Sequence, residues 1–223
     1  MDPILKIEKD RVTNSLARSF LITLIPILAF IINDVFVLQW NEWGIHPREF
    51  DHVWSVLLIP FLHADYEHLF SNMIPLFVLS FGLLYFFKKR AYLIMLFNLL
   101  VSGILIWSFG RTGNHIGASG LIYAFIFFMV TISLIKREKS LMAFSLIVIF
   151  LYGSVVWGFF PQLFPGKNIS WEGHVAGAVS GIVLAWVFRD EGPQRKIFFE
   201  DEIEEEEGEE EENNEENMFD ENI

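Results

Sequence analysis

Polar side chains that could carry out chemistry occur near the start of three apolar segments. His68 and Asn72 open the first of these segments, Ser119 lies near the start of the second, and His174 near the start of the third. A serine hydroxyl becomes an effective nucleophile when a neutral imidazole takes its proton. Ser119 and His174 are therefore candidates for a nucleophile and its general base.

The spacing of His68 and Asn72 suggests a second part of the same site. Residues at i and i+4 of a helix project from one face. From that face both side chains could donate hydrogen bonds to a carbonyl oxygen that becomes an oxyanion, with the Ser119 N–H as a third donor. The last four apolar segments contain no Asp or Glu to orient His174. We therefore expect an acyl-transfer site built on a Ser–His dyad rather than a triad.

Small residues accompany both members of the expected dyad. They precede and follow Ser119 and recur every four residues around His174, at positions Gly117, Ala118, Gly120, Gly173, Gly177 and Gly181. Such residues allow membrane helices to approach closely, and by themselves they indicate only a packing surface. Tyr123 lies one turn below Ser119 on the same face, where its ring could lie under the His174 imidazole.

The elements that must position these residues are membrane spans. The chain is 53% hydrophobic with a mean hydropathy of +0.41, and its apolar segments approach the ~20 residues that a helix needs to cross a bilayer. We predict an all-α polytopic membrane protein with six spans, at residues 19–38, 69–87, 91–109, 116–135, 141–159 and 173–188.

The basic residues predict how these spans are oriented. Thirteen of the 16 lysines and arginines lie before the first span, after the second, after the fourth or after the last. The other three, one in each remaining loop, are Arg48, Arg111 and Lys167. Because Lys and Arg accumulate in cytoplasmic loops, we expect both termini in the cytoplasm. His68, Asn72, Ser119 and His174 then lie at one depth, near the outer surface.

Composition divides the chain into three regions: a cytoplasmic N-terminal segment (1–18), a membrane domain (19–189) and a tail (190–223). The tail holds 17 of the 28 acidic residues, and such like-charge runs favour a disordered, solvated segment that does not bind nucleic acid. The chain has no cysteine, which excludes disulfides, a thiol nucleophile and thiolate metal sites.

Two outer segments are longer than simple connections. Residues 39–67 contain Trp40, Trp43 and Trp54 among polar residues, a composition that favours an interfacial or re-entrant insert between the first two spans. The turn at 45–48, with Pro47, should interrupt any helix there. Residues 161–172 contain two prolines and a glycine and are expected to be mobile.

The chain resembles the rhomboid intramembrane serine proteases over residues 19–189. The resemblance rests on three motifs in the family's order: His63, His68 and Asn72; Gly117-Ala118-Ser119-Gly120; and Gly173-His174 with Gly177 and Gly181. One feature departs from the family pattern. Many rhomboids carry Trp-Arg in the long outer segment, whereas here Trp54 is followed by Ser55, and Arg48 is expected to anchor that segment instead.

The resemblance implies a six-helix bundle with a hydrated cavity open to the outside. Ser119 would attack, His174 would act as base and then as acid, His68 and Asn72 would polarise the scissile carbonyl, and Tyr123 would stack on His174. The fifth span and residues 161–172 would form the gate for substrates. The substrates implied are single-span membrane proteins cut near the outer face, in what we expect to be a bacterial plasma membrane, without a cofactor or metal.

Two other functions are compatible with parts of the sequence. A non-catalytic rhomboid-like protein would bind membrane clients without cutting them, although such proteins usually lack the serine or the histidine. A metal or proton transporter could use histidine ligands, for which His63, His68, His115 and His174 are candidates. In the protease hypothesis His63 is structural and hydrogen-bonded within the outer segment, and His115 is solvated. The sequence leaves the oligomeric state and the natural substrate open.

Overall fold

Six α-helices make up most of the computed structural model, which describes residues 2–160 and 170–194. They are α1 (Pro3–Phe36), α2 (Tyr66–Phe87), α3 (Arg90–Phe109), α4 (Ser119–Lys136), α5 (Lys139–Tyr152) and α6 (Trp171–Val187). Short 3₁₀ helices cover Trp40–Trp43, Phe50–Leu57, Ile59–Phe61 and Gly153–Phe159. The described residues contain no β-strand, which confirms the all-α class.

Helices α1 to α4 are long and apolar enough to cross a membrane. Helix α5 has 14 residues and α6 has 17, and the 3₁₀ helix Gly153–Phe159 continues α5 directly. The described part of the chain therefore contains four spans by length and composition, against the six expected. Most of the predicted segment 161–172 and the tail from residue 195 lie outside the described residues.

The first helix begins at Pro3 rather than at Ser19, where the sequence placed the start of the first span. The Asp2 side chain caps it by accepting from the Ile4 N–H at 2.9 Å. The added turns pack against the end of α2. The Arg11 guanidinium donates to the Tyr85 carbonyl and lies 4.2 Å from the Tyr85 ring centroid. Hydropathy locates only the apolar part of such a helix, because charged residues are also good helix formers.

Helices α4 and α6 form the closest helix pair. A Cβ atom on Gly177 would lie 3.0 Å from the Gly120 carbonyl carbon, and one on Gly181 would lie 2.7 Å from the Phe128 nitrogen. Backbone therefore faces backbone along this seam. Below the glycines, Phe125, Phe128 and Met129 of α4 are fully buried in the main hydrophobic core.

A polar contact joins α6 to α3. The Ser180 hydroxyl donates to the Asn98 side-chain oxygen at 3.1 Å. The Ser102 hydroxyl donates to the Asn98 carbonyl within α3 at 2.6 Å. Asn98 thus links α6 to α3.

The segment between α1 and α2 is anchored to the C-terminal end of α3. The Arg48 guanidinium donates to the Gly110 carbonyl at 2.7 Å, and the Trp107 indole N–H donates to the Glu49 carbonyl at 3.0 Å. Ile45 is fully buried and exchanges backbone hydrogen bonds with His115. No helix covers residues 44–49, as the turn at Pro47 predicted. Arg48 thus anchors this segment, as expected for a chain in which Trp54 is followed by Ser55 rather than by an arginine.

We predict that Gly177→Ala destabilises the protein by about 1–3 kcal/mol, the usual cost of overpacking a tight interface. The added methyl group would meet Gly120 and Tyr123, whose backbones cannot move independently of their helix. Thermal unfolding in detergent measures the effect. Gly153→Ala is the matched control, because a Cβ atom there has nothing within 4 Å. Equal unfolding temperatures for the two variants would contradict the close α4–α6 contact.

Candidate active site

Ser119 and His174 lie beside each other at the N-terminal ends of α4 and α6. The serine Oγ is 3.1 Å from the histidine Nε2. The glycines next to both residues make this distance possible, since a Cβ atom on Gly120 would lie 3.1 Å from the Gly173 carbonyl oxygen. The structure therefore brings together the two residues that the sequence suggested as nucleophile and base.

Ser119 is the first residue of α4, whereas the sequence placed the start of this span at residue 116. Gly117 has a φ of +106° and turns the chain just before the helix, and its N–H donates to the Ile59 carbonyl at 3.0 Å. The first N–H groups of a helix have no acceptor within that helix. This later start places the Ser119 N–H at the positive end of the α4 dipole.

A backbone carbonyl fixes the tautomer of His174. The Nδ1 atom lies 2.8 Å from the Gly158 oxygen, and because a carbonyl can only accept, Nδ1 carries the proton. The Nε2 lone pair therefore faces Ser119. Sequence analysis did not identify Gly158, since every residue has a carbonyl. The available signal was the glycine itself: a Cβ atom there would lie 2.9 Å from Nδ1.

The Tyr123 ring supports the imidazole from one side. Its centroid is 4.0 Å from that of His174 and the two planes differ by 3°. Both residues are buried: Tyr123 is 4% exposed and His174 is 7% exposed. Stacking and the Gly158 hydrogen bond together restrict rotation of the imidazole, as the position of Tyr123 one turn below Ser119 suggested.

His68 and Asn72 extend from the first turns of α2 toward the loop before Ser119. A Cβ atom on Gly117 would lie 2.5 Å from His68 Nε2 and 3.6 Å from Asn72 Nδ2. The Asp65 carboxylate caps α2 by accepting from the His68 N–H at 2.7 Å. The Asn72 amide nitrogen is buried without a hydrogen-bond partner among the described residues, so this donor is unsatisfied there.

These side chains line a cavity of about 660 Å³. Its wall carries donors, acceptors and two carboxylates in addition to the dyad, and the residues are Ala64, Asp65, Glu67, His68, Ser71, Asn72, Asn114, His115, Ile116, Ser119, Tyr123, Ser170 and His174. About 30 Å³ is the share of one water molecule in the liquid. The cavity is therefore large enough for a peptide segment together with water.

His63 is buried beside His68. It is 2% exposed, and its ring lies edge-on to that of His68 with centroids 5.0 Å apart. Burial, followed by the nearby His68, lowers the pKa of His63 to about 3. Neither ring nitrogen has a close hydrogen-bond partner within the described part of the chain, although the Phe61 backbone lies near enough to oppose the effect of burial on the pKa. The expectation of a hydrogen-bonded His63 therefore stays a prediction. The residue packs as a neutral ring.

His115 was expected to be solvated, and this was wrong. It is 6% exposed. Its Nε2 donates to the Arg111 carbonyl at 2.9 Å, and its Nδ1 lies 2.6 Å from the Ser170 hydroxyl. The short loop before Ser119 packs against the segment that starts α6. Because this contact joins residues far apart in the chain, the sequence of the loop alone could not predict that His115 is buried.

The histidines are engaged in separate contacts. Rings of His63 and His68 pack together, His115 contacts Ser170, and His174 contacts Ser119. Among the described residues, no three His, Asp or Glu side chains converge where they could hold a metal ion. The observed pairing fits proton transfer between a serine and a histidine.

Comparison with known proteins identifies the class. A model of the Rhomboid domain matches residues 51–191. This match covers more than half of the chain, and the chain belongs to the rhomboid family. The resemblance drawn from the three motifs is confirmed. Together with the long apolar helices, the family makes the chain an integral membrane protein.

Similar proteins occur in mycobacteria. The uncharacterized proteins Rv1337 of Mycobacterium tuberculosis and Mb1372 of Mycobacterium bovis are each 35% identical over 159 residues, which is 69% of this chain and 65% of the relative. ML1171 of Mycobacterium leprae is 33% identical over 159 residues, which is 69% of this chain and 62% of the relative. The chain thus spans less than two thirds of the length of these relatives.

We predict that His63 makes stability fall as the pH decreases. Its pKa is about 3 in the fold against 6.5 for an exposed histidine, so below pH 6.5 the unfolded chain binds the additional proton. The free energy of unfolding should fall by up to ~1.4 kcal/mol per pH unit through this window. Thermal unfolding of the parent and of His63→Gln from pH 7.5 to 4.5 measures it. The variant should lose less stability over this range, and parallel curves would contradict a buried neutral His63.

Proposed function

We propose that the protein is an intramembrane serine endopeptidase that cleaves single-span membrane proteins near the outer face of the bilayer. The 3.1 Å contact between Ser119 Oγ and His174 Nε2 carries this proposal. Membership of the rhomboid family supports it, because that family consists largely of serine intramembrane proteases. No cofactor or metal is needed for the chemistry described below.

The first step is attack by Ser119 on the scissile carbonyl carbon. His174 Nε2 takes the hydroxyl proton as the Oγ–C bond forms, and the imidazolium is stabilised by its Nδ1–H bond to the Gly158 carbonyl. His174 then protonates the departing amine as the C–N bond breaks. The Gly158 carbonyl takes the place that a carboxylate has in a triad. The Tyr123 ring keeps the imidazole plane directed at Ser119.

The oxyanion would be stabilised from the opposite side of the cavity. The Asn72 amide nitrogen has no partner among the described residues, and the ring of His68 faces the same loop. With the Ser119 N–H at the start of α4, these groups form a set of donors directed at developing negative charge. Because they are held by helices, they need no reorganisation when the charge forms.

The second half of the reaction needs water in a region close to the hydrocarbon layer. The cavity volume of about 660 Å³ corresponds to roughly twenty water molecules. Its polar lining favours such occupation, since buried water requires several hydrogen-bonding partners. One of these molecules would attack the acyl carbon as His174 Nε2 takes its proton, and the imidazolium would return that proton to Ser119 Oγ as the ester C–Oγ bond breaks and the carboxylic acid product leaves.

We further propose six spans with both termini in the cytoplasm of a bacterium. Helix α5 and the 3₁₀ helix Gly153–Phe159 together cover 21 residues, and the 17 residues of α6 extend ~25 Å at 1.5 Å per residue. Both lengths are close to the ~30 Å of a hydrocarbon core. The thirteen-to-three distribution of basic residues supports the orientation. Residues 39–67 would then lie at the outer interface.

Substrates would be transmembrane proteins that reach the cavity from the bilayer. In this proposal α5 and residues 161–172 form the gate, and residues 190–223 form a solvated cytoplasmic tail. Residues 161–169 and the tail from 195 lie outside the described part of the chain. The alternative is a rhomboid-like protein that binds membrane clients without cutting them.

Replacing either member of the dyad should abolish cleavage of a model single-span substrate. For Ser119→Ala and His174→Ala we expect turnover to fall by about 10⁴-fold or more, because each removes a group without which the covalent step cannot proceed. Reconstituted protein and a gel assay of substrate fragments measure the loss.

Ser133→Ala is the matched control, because Ser133 lies on the same helix and donates only to the Val130 carbonyl. It should retain full turnover. Cleavage by Ser119→Ala would end the protease proposal. A parent protein that binds the substrate in the bilayer but never cuts it would favour the client-binding alternative.

Removing the Asn72 amide should reduce turnover without eliminating it. One oxyanion donor is typically worth about 10²-fold in kcat, so we expect Asn72→Ala to lower kcat by about that factor with little change in KM. Steady-state kinetics on the same substrate separates the two constants. Full activity of a His68→Ala, Asn72→Ala double variant would remove this pair from the mechanism.

A further inference from the structure

A polar cluster beside the dyad, of which only His115 is buried, has no part in the chemistry described above. The Ser170 hydroxyl lies 2.6 Å from His115 Nδ1, and the Arg111 Nε lies 3.5 Å from a Glu172 carboxylate oxygen. Both contacts connect the loop that precedes Ser119 to the segment that starts α6. The cluster therefore joins the two chain segments that carry the nucleophile and the base.

Ser170 occupies the N-cap position of α6 but does not cap it with its side chain. A serine in this position usually accepts a hydrogen bond from the second or third N–H of its helix. Here only its carbonyl accepts, from the Gly173 and His174 N–H groups at 3.0 and 3.3 Å. The hydroxyl is directed at His115 instead, so a local helix contact has been replaced by a contact between segments.

His115 is held in one tautomer by its two neighbours. Its Nε2 must donate to the Arg111 carbonyl, which leaves Nδ1 to accept from the Ser170 hydroxyl. A Cβ atom on Gly110 would lie 3.3 Å from Nε2, so the ring is in close contact with the end of α3. The backbone of His115 is fixed by two hydrogen bonds with Ile45, of 2.9 and 3.0 Å.

The position of this contact along the chain matches that of the dyad. His115 is four residues before Ser119, and Ser170 is four residues before His174. One backbone turn, closed by the hydrogen bond from the His174 N–H to the Ser170 carbonyl, separates Ser170 from the base. A displacement at Ser170 is therefore passed directly to His174.

We propose that His115 and Ser170 are positioning residues that set the approach of His174 Nε2 to Ser119 Oγ. The inference rests on the proposed protease function. Without the contact, α6 keeps its glycine seam with α4 but loses the polar link at its outer end. The Nε2–Oγ distance then varies more. Displacements of about 1 Å between reacting groups can cost on the order of a hundredfold in rate.

A double-mutant cycle tests the contact. We expect His115→Ala and Ser170→Ala each to lower kcat by about ten- to a hundredfold, with KM within about twofold of the parent value. Each should slow fluorophosphonate labelling of Ser119 by a similar factor. The double variant should be no slower than the slower single variant, because both changes remove one interaction.

Conservative variants distinguish positioning from general loss of structure. His115→Asn keeps an acceptor near the place of Nδ1, and Ser170→Thr keeps the hydroxyl, so both should recover most of the rate. Ser180→Ala is the matched control, since it removes a buried hydrogen bond from the same helix to Asn98 of α3. It should lower thermal stability and leave kcat within about twofold of the parent.

Three results would overturn the proposal. They are a double variant whose loss in kcat is the product of the two single losses, a change confined to KM, or single variants with the kcat of the parent. Failure of the proposed protease function would look different: the parent protein itself would show neither cleavage nor labelling that depends on Ser119.

A distance measurement between α2 and α6 tests the positioning role even if the protein proves not to be a protease. The natural chain has no cysteine, so spin labels can be attached to Phe70→Cys and Val175→Cys, at exposed positions of α2 and α6. The distance distribution between the labels should broaden when Ser170→Ala is added. An unchanged distribution would overturn the proposed contact.

Discussion

The structure depends on the close contact between α4 and α6. Backbone atoms meet along Gly120, Gly177 and Gly181, where any side chain would enter the neighbouring helix. Lipid gives no hydrophobic drive for helices to associate, so van der Waals contact between small residues must hold the pair together. The same contact brings Ser119 and His174 to 3.1 Å. Packing and chemistry therefore have one physical cause, and neither can be changed without the other.

The dyad is oriented by groups that carry no charge. The Gly158 carbonyl holds Nδ1 and the Tyr123 ring lies against the imidazole plane. Burying an ionised carboxylate at this depth would cost several kcal/mol unless it were paired, whereas a carbonyl dipole is far less costly to bury. This accounts for a buried histidine that, within the described part of the chain, is hydrogen-bonded to a backbone carbonyl rather than to a carboxylate. The Asn72 amide is a donor without a partner among the described residues, and in the proposed function it would donate to the oxyanion.

Much of this arrangement could be predicted from particular residues. Helical periodicity alone predicted which of these residues share one face of a helix, because the spacings among the glycines, Ser119, Tyr123 and His174 are set by the sequence. Three features could not be predicted. The Gly158 carbonyl is a backbone group without a sequence signature, the burial of His115 depends on contacts with segments far along the chain, and the extension of α1 to Pro3 lies outside the apolar window. Among the described residues, four helices are long enough to count as spans by themselves, because α5 ends in a 3₁₀ turn and α6 has 17 residues. The six spans suggested by hydropathy stay a proposal.

The central claim is that Ser119 is an activated nucleophile whose base is His174. Mass spectrometry of the protein after reaction with a fluorophosphonate tests it most directly, because the adduct is covalent and can be located by peptide mapping. The account predicts one adduct per chain, on Ser119, that is absent when His174 is replaced by alanine. An adduct on another serine, or undiminished labelling of Ser119 in His174→Ala, would contradict it.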